Sequence, residues 1–191
     1  MVAQHVRRQG GPLWTVEQYL ELERHSAVKH EYHDGYVYAI AGGSQAHSQI
    51  AGNVYSLLRV GVRGSGCRAL NPDIKVRYSP RDYVYADAVV TCDHRDRVPG
   101  QDWISYPTLI VEALSPSTEQ HDRGGKFEDY KSIPTFREYV LVEYARRVVQ
   151  VWRRDDMGLW TPTSYGPAGD VPLTSVALTL PMDLIYEDSD Q

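Results

Sequence analysis

The sequence predicts a single α/β domain in which a mixed central sheet is flanked by helices. Three patterns lead to this fold class. Segments with helical periodicity stand between short β-rich runs along most of the chain. The run Leu109–Leu114 is apolar at every position except one, which is typical of a strand covered on both faces. Asp73–Tyr78 instead alternates charged with apolar residues, as a half-exposed antiparallel strand does.

Length and charge limit the classes of function. A chain of 191 residues suits one domain with a substantial core, and we assign residues 13–191 to it. Residues 1–12 have no periodicity and are predicted to form a flexible N-terminal arm. The net charge of −5 gives no overall basic footprint, so any contact with nucleic acid must rest on a local patch.

Cysteine usage and hydropathy predict the compartment. Cys67 and Cys92 fit no zinc-binding spacing, and the chain has no recognisable signal peptide. We therefore expect reduced thiols in a cytoplasmic protein. No apolar run reaches the length of a membrane-spanning helix.

The first third of the chain is predicted to contain two helices and a bent strand. Thr15 is a candidate N-cap for a short helix that ends near Glu23. Glu31–Ile40 is predicted to form a strand with a bend or turn at its Asp-Gly pair. Ser44 is a candidate cap for a longer helix that ends near position 62.

Strands dominate the remainder of the chain. Period 2 predicts one strand over Tyr83–Thr91, with small apolar residues on one face and Asp87 on the other. A short helix follows Leu109–Leu114, and two further strands are predicted over Arg137–Glu143 and Val148–Arg154. Apolar residues close the chain.

Two carboxylates in these strands are candidates for a metal site. Asp87 and Glu112 each lie in an apolar, β-rich run. A buried carboxylate without a partner is costly or takes up a proton, and two on neighbouring strands repel each other. A divalent cation between them would relieve both problems, and Mg²⁺ or Mn²⁺ accepts oxygen ligands. Salt bridges from both carboxylates to Arg123 and Lys126, without catalysis, are the alternative interpretation.

The helix after Glu112 supplies a cation to the same region. Its apolar stripe, at about 100° per residue, consists of Phe127, Tyr130 and Ile133. Lys126 and Arg123 fall inside this stripe, whereas Lys131 falls on its edge. Lys126 is therefore predicted to point into the protein, where its ammonium group could neutralise charge that develops on a phosphate.

Four stretches of the chain carry a family resemblance: TVEQYLELE, HEYHDGYVYAIAGGS, YADAVVTCD and LIVEALSPSTEQHDRGGKFEDYKSIPTFREYVLVE. They span most of residues 14–153, and VEALSPSTEQHDRGGKFEDY is the most specific part. The sequence resembles the Uma-type family of restriction-endonuclease-like proteins in bacteria, within the PD-(D/E)XK nuclease superfamily. The resemblance implies a restriction-endonuclease-like mixed central sheet flanked by helices, with additional antiparallel strands. It also implies that Asp87 and Glu112 bind a metal and form a catalytic set with Lys126.

Two positions depart from the family pattern. Ala86 stands where a proline usually precedes the aspartate. Leu114 stands two residues after Glu112, where the wider superfamily has a lysine. In some members of the superfamily this lysine has moved to the following helix, and Lys126 matches that arrangement.

Further residues are weaker candidates, and each has a plain structural alternative. Glu31 matches a recurrent acidic position of the family and could complete the metal shell, or it is an edge-strand carboxylate. His47 could contact substrate or act as a base, or it is a satisfied helix histidine. Arg123 is a candidate substrate-binding residue. We interpret Asp73 and Asp122 as a strand-end and a helix-start residue.

The sequence therefore predicts a divalent-metal-dependent nuclease that hydrolyses phosphodiester bonds, with DNA as the favoured substrate. The alternative is a non-catalytic module on the same fold that binds nucleic acid or protein. Two active sites related by a two-fold axis would serve to cut both strands of a duplex, so we expect a homodimer. We also expect the Asp87 and Glu112 carboxylates to approach within about 4–6 Å.

Overall fold

The computed structural model describes residues 4–5, 13–40, 42–115 and 118–189. The helices in these residues are α1 (Val16–His25), α2 (Gln45–Gly61), α3 (Glu119–Arg123), α4 (Gly125–Lys131) and α5 (Met182–Ile185). The strands are β1 (Gln4–His5), β2 (His30–His33), β3 (Tyr36–Ala39), β4 (Arg68–Leu70), β5 (Lys75–Ser79), β6 (Asp82–Tyr85), β7 (Ala88–Thr91), β8 (Trp103–Ile104), β9 (Pro107–Leu114), β10 (Glu138–Glu143), β11 (Val148–Arg154), β12 (Trp160–Tyr165), β13 (Asp170–Leu173) and β14 (Leu178–Pro181).

A mixed sheet forms the centre of the fold, in the order β12-β11-β10-β9-β7-β4. β9 and β10 are parallel, and the other neighbours in this sheet are antiparallel. One face packs against α2, whose buried residues include Ile50 and Leu58. The other face packs against α4 through Phe127 and Tyr130. The predicted mixed sheet with flanking helices is therefore confirmed.

A second sheet supplies the additional strands, in the order β1-β3-β2-β6-β5-β8. Asp34 and Gly35 both have positive φ angles and form the predicted turn between β2 and β3, a conformation that favours Gly and Asp. The predicted arm, residues 1–12, lies outside the described residues apart from β1, which pairs with β3. In the part of the chain that the structure describes, no helix combines the length and the apolar character needed to span a membrane.

The single strand predicted over Tyr83–Thr91 is wrong, because the chain changes sheets within it. β6 pairs with β5 and β2 in the second sheet, whereas β7 joins the central sheet. Val84 and Val89 consequently pack in the same core, beside α4, although strict alternation along one strand would place them on opposite faces. Ala88 and Val90 pack in the other core, which contains α2. Asp87 lies in the irregular segment between the two strands.

The expectation of reduced thiols is also wrong, because Cys67 and Cys92 form a disulfide. Arg68 and Thr91 are partners in the antiparallel pairing of β4 with β7, and the cysteines continue that register by one residue. Strand pairing thus brings together two residues that are 25 positions apart. Disulfides are typical of oxidising compartments, so the cytoplasmic location stays a prediction.

Candidate active site

The segment just before β7 brings Asp87 against β9, the strand that carries Glu112. β7 and β9 are antiparallel partners, with Ala88 opposite Val111, and Asp87 directly precedes this pairing. The backbone N–H of Asp87 donates to the Val111 carbonyl at 3.2 Å. The Asp87 side chain accepts, through Oδ2, the backbone N–H of Ala113 at 2.7 Å. Asp87 is therefore bound to β9 on both sides of Glu112.

Lys126 completes the centre of this arrangement from α4. Although it is charged, Lys126 is only 8% exposed, so its predicted inward orientation is confirmed. Its Nζ lies 3.0 Å from Glu112 Oε1 and 3.5 Å from Glu31 Oε1. It also donates a hydrogen bond of 2.7 Å to the backbone carbonyl of Tyr85, at the end of β6. Lys126 thus joins the strands of both sheets at the point where the chain crosses between them.

Asp122 belongs to the same cluster, which corrects its interpretation as a simple helix-start residue. It is 3% exposed, and its Oδ1 lies 3.8 Å from Lys126 Nζ. Its backbone carbonyl accepts the hydroxyl of buried Tyr139. The signal in the sequence was the i, i+4 spacing between Asp122 and Lys126, which holds across the helix break at Gly124.

The charges of the cluster do not balance. Burial raises the pKa of Glu112 well above its ordinary value, and Asp122 and Asp87 raise it further, against the attraction of Lys126. Burial disfavours the ammonium form of Lys126, yet Glu112 and Glu31 raise its pKa well above the ordinary range. Burial also opposes ionisation of Glu31, but Lys126 and His33 lower its pKa to about 2. One lysine therefore serves several carboxylates, and ionising all of them at once is unfavourable without a further cation.

This donor set fits a hard divalent cation. Within the described ranges, no three His, Cys, Asp or Glu side chains stand close enough to form a ready-made metal cage. Mg²⁺ is usually bound through one or two carboxylates, with water and substrate phosphate as further ligands. Asp87 and Glu112 meet that requirement, and a cation would favour their ionised forms. Glu31, held by Lys126 and by the backbone N–H of Tyr85, stays a prediction as a third ligand.

The two weaker candidates differ in position. His47 lies at the site, because its Nε2 is 3.2 Å from Asp87 Oδ2, and this hydrogen bond raises the pKa of His47 despite partial burial. Arg123 points elsewhere: its guanidinium binds Glu119, Glu143 and Gln150. Arg123 is therefore no counter-ion of the candidate metal ligands, and its predicted contact with substrate stays a prediction.

Comparisons with known proteins agree with this fold. A family model described as "Uma2: Putative restriction endonuclease" matches residues 16–184. The chain is 39% identical over 176 residues to "Uncharacterized protein slr1290" of Synechocystis sp. (strain ATCC 27184 / PCC 6803 / Kazusa), which covers 92% of each chain. It is 28% identical over 131 residues to "Uncharacterized protein sll1609" of the same organism, covering 68% of this chain and 74% of the relative.

A solved structure has the same architecture. The crystal structure of a putative nuclease belonging to DUF820 from Anabaena variabilis ATCC 29413 matches with a TM-score of 0.73. The match covers 91% of this chain and 97% of the other, at 18% sequence identity. At that identity the likeness concerns the fold, which is restriction-endonuclease-like.

Proposed function

Because this chain belongs to the Uma2 family, we propose that it is a divalent-metal-dependent nuclease that hydrolyses phosphodiester bonds, with DNA as the favoured substrate. One observation carries the proposal: the backbone N–H of Ala113, next to Glu112, holds the Asp87 carboxylate on β9, and Lys126 Nζ lies 3.0 Å from the Glu112 carboxylate. Burying several carboxylates around one lysine costs stability, and arrangements of this kind are concentrated at functional sites. Here the carboxylates would position a cation, and the lysine would position a phosphate.

Each residue has a distinct part in this proposal. Asp87 and Glu112 would hold Mg²⁺ or Mn²⁺ at the junction of β7 and β9. When bound, such an ion lowers the pKa of water and polarises the scissile phosphate. Lys126 provides a fixed positive charge that orients the attacking water or stabilises the charge that develops on the phosphate. Its bond to the Tyr85 carbonyl and its bridge to Glu31 hold that charge in place before substrate arrives.

We further propose that the active form is a homodimer. A net charge of −5 leaves little basic surface for a duplex on one subunit. Two subunits related by a two-fold axis would present one site to each strand of the duplex.

Cleavage of plasmid and single-stranded DNA in the presence of Mn²⁺ tests the proposed activity. The comparison includes wild type, Asp87→Asn, Glu112→Gln, Lys126→Met and Lys131→Met, each checked for folding by circular dichroism. Losing either carboxylate should abolish cleavage, and losing the Lys126 charge should reduce it about 10²–10³-fold, as loss of one preorganised donor does. Lys131 is the matched control, because it lies on the same helix, is more exposed and pairs with Glu128.

Three results would contradict parts of the proposal. Equal cleavage by wild type and Lys126→Met would remove Lys126 from the catalytic set. Equal cleavage by wild type and Asp87→Asn would remove the metal site. Calorimetric Mn²⁺ binding without cleavage of either DNA would favour the non-catalytic binding module.

A further inference from the structure

The stretch of chain that contains α2 has no acidic residues. Residues 35–72 include no Asp or Glu, although the chain has 25 acidic residues in all. The same stretch contributes Arg59, Arg63 and Arg68. Among the described residues, no carboxylate lies within ion-pair distance of these three guanidinium groups. A local basic patch can therefore form here on a protein whose overall charge is negative.

The outward face of α2 presents part of this stretch to solvent. Exposed residues recur there at intervals of three or four positions, so they share one face of the helix. The opposite face of α2 is buried against the central sheet. We define the α2 strip as these exposed residues together with the arginine that follows the helix: Ser48, Gly52, Ser56, Arg59 and Arg63.

The α2 strip starts beside the candidate active site. Ser48 directly follows His47, whose Nε2 lies 3.2 Å from Asp87 Oδ2. At about 1.5 Å per residue, Arg59 lies roughly 18 Å further along the helix axis than His47. That length corresponds to about five base pairs of B-DNA, at about 3.4 Å each. One duplex can therefore reach the candidate site and the arginine end of the strip at the same time.

The chemistry of the α2 strip suits a phosphate backbone. Hydroxyl and guanidinium groups are typical donors to phosphate oxygens. A Cβ atom at Gly52 would meet no other atom within 4 Å, so the helix surface there is open to close approach. The acidic C-terminal segment lies to one side of the strip, where Asn53 donates to the carbonyls of Ile185 and Glu187.

We propose that the α2 strip binds the phosphate backbone of a DNA duplex whose scissile bond lies in the candidate active site. Arg59 and Arg63 supply the charge, and the serine hydroxyls and Gly52 supply a surface without carboxylates between them and the site. The inference rests on the proposed function, because it names the surface that binds the same substrate. Such contacts position the duplex without reading its sequence.

Fluorescence anisotropy of a labelled DNA duplex, with a chelator present to prevent cleavage, tests the proposal. Each phosphate contact changes log K by about 0.9 for a tenfold change in salt. The double variant Arg59→Gln/Arg63→Gln should therefore reduce the salt slope by about 1.8. Its affinity should be about 10²-fold weaker at about 50 mM salt, and the difference should fade towards about 1 M. In cleavage with Mn²⁺, this variant should raise KM and leave kcat nearly unchanged.

A charge-matched control separates the α2 strip from overall charge. Arg24→Gln/Arg68→Gln removes the same charge from other surfaces and should bind DNA nearly as wild type does. Arg24 lies on α1. Arg68 points away from α2, because its neighbour Ala69 packs in the core that contains α2 and side chains alternate along β4. Ser56→Glu adds a negative charge inside the strip, so it should weaken binding.

The outcomes separate this inference from the proposed function. If wild type binds the duplex and Arg59→Gln/Arg63→Gln binds it equally well, the inference fails alone, and Arg59 only stabilises the last turn of α2. An equal loss of affinity in the charge-matched control would also overturn it. Arginine-dependent binding without cleavage would support the strip and contradict the nuclease. If wild type binds no DNA, the DNA substrate and the inference fail together.

Discussion

Replacing Lys126 by methionine should destabilise the metal-free protein by about 3–5 kcal/mol at neutral pH, the cost of leaving a buried charge without its partner. Lys126 is the shared counter-ion of Glu112, Glu31 and Asp122, whose side chains are 5%, 11% and 4% exposed. Methionine keeps most of the buried volume, so the loss is mainly electrostatic. With three carboxylates affected, we expect the upper half of that range.

The penalty should depend on pH in a defined direction. Burial already raises the pKa of Glu112, and removing Lys126 raises it further. A carboxyl group with a folded-state pKa above its unfolded value stabilises the protein below the unfolded pKa, and this contribution is lost as pH rises through the folded pKa. The cost of Lys126→Met should therefore grow as pH rises through the raised folded-state pKa values of Glu112 and Asp122, and it should shrink as pH falls below them and both groups take up protons.

Urea denaturation in the presence of a chelator, at several pH values, measures this effect. Lys131→Met is the control and should change the free energy of unfolding by no more than about 1 kcal/mol, because its pair with Glu128 and its cation–π contact with Phe127 lie at a partly exposed position. The double variant Lys126→Met/Glu112→Gln should recover part of the loss, since it removes one of the uncompensated charges. A Lys126→Met protein with wild-type stability at pH 8, or one that Glu112→Gln does not rescue, would refute this electrostatic account.

Two further predictions concern the disulfide and the assembly. Cys67→Ser should lower the free energy of unfolding by about 3 kcal/mol under non-reducing conditions, as expected for a closed loop of this length, and a reductant should lower wild type equally. Equal stability of Cys67→Ser and oxidised wild type in urea would show that the Cys67–Cys92 bond does not form in solution. For the assembly, light scattering at micromolar concentration should give twice the mass of 21.7 kDa, and a monomer mass would contradict the proposed dimer.

Local sequence patterns determined much of this fold. Thr15 and Gln18 form the capping box at the start of α1, and Ser44 caps α2 as expected. The stripe at Phe127 and its neighbours is buried, which placed Lys126 correctly inside the protein. These features depend on residues within one or two helical turns of each other, so periodicity and capping chemistry are sufficient to predict them.

Only the tertiary structure decided the features that depend on distant pairing. β6 and β7 look like one strand locally, but the pairing of each with a different sheet breaks them next to Asp87. Pairing of β4 with β7 likewise joins Cys67 to Cys92. Arg123 and Lys126 look equivalent on one helical stripe, yet the break at Gly124 directs Arg123 to Glu119 and Glu143 and leaves Lys126 with Glu112. The sequence predicts which residues carry charge into the core, but the partner of each charge depends on contacts between segments far apart in the chain.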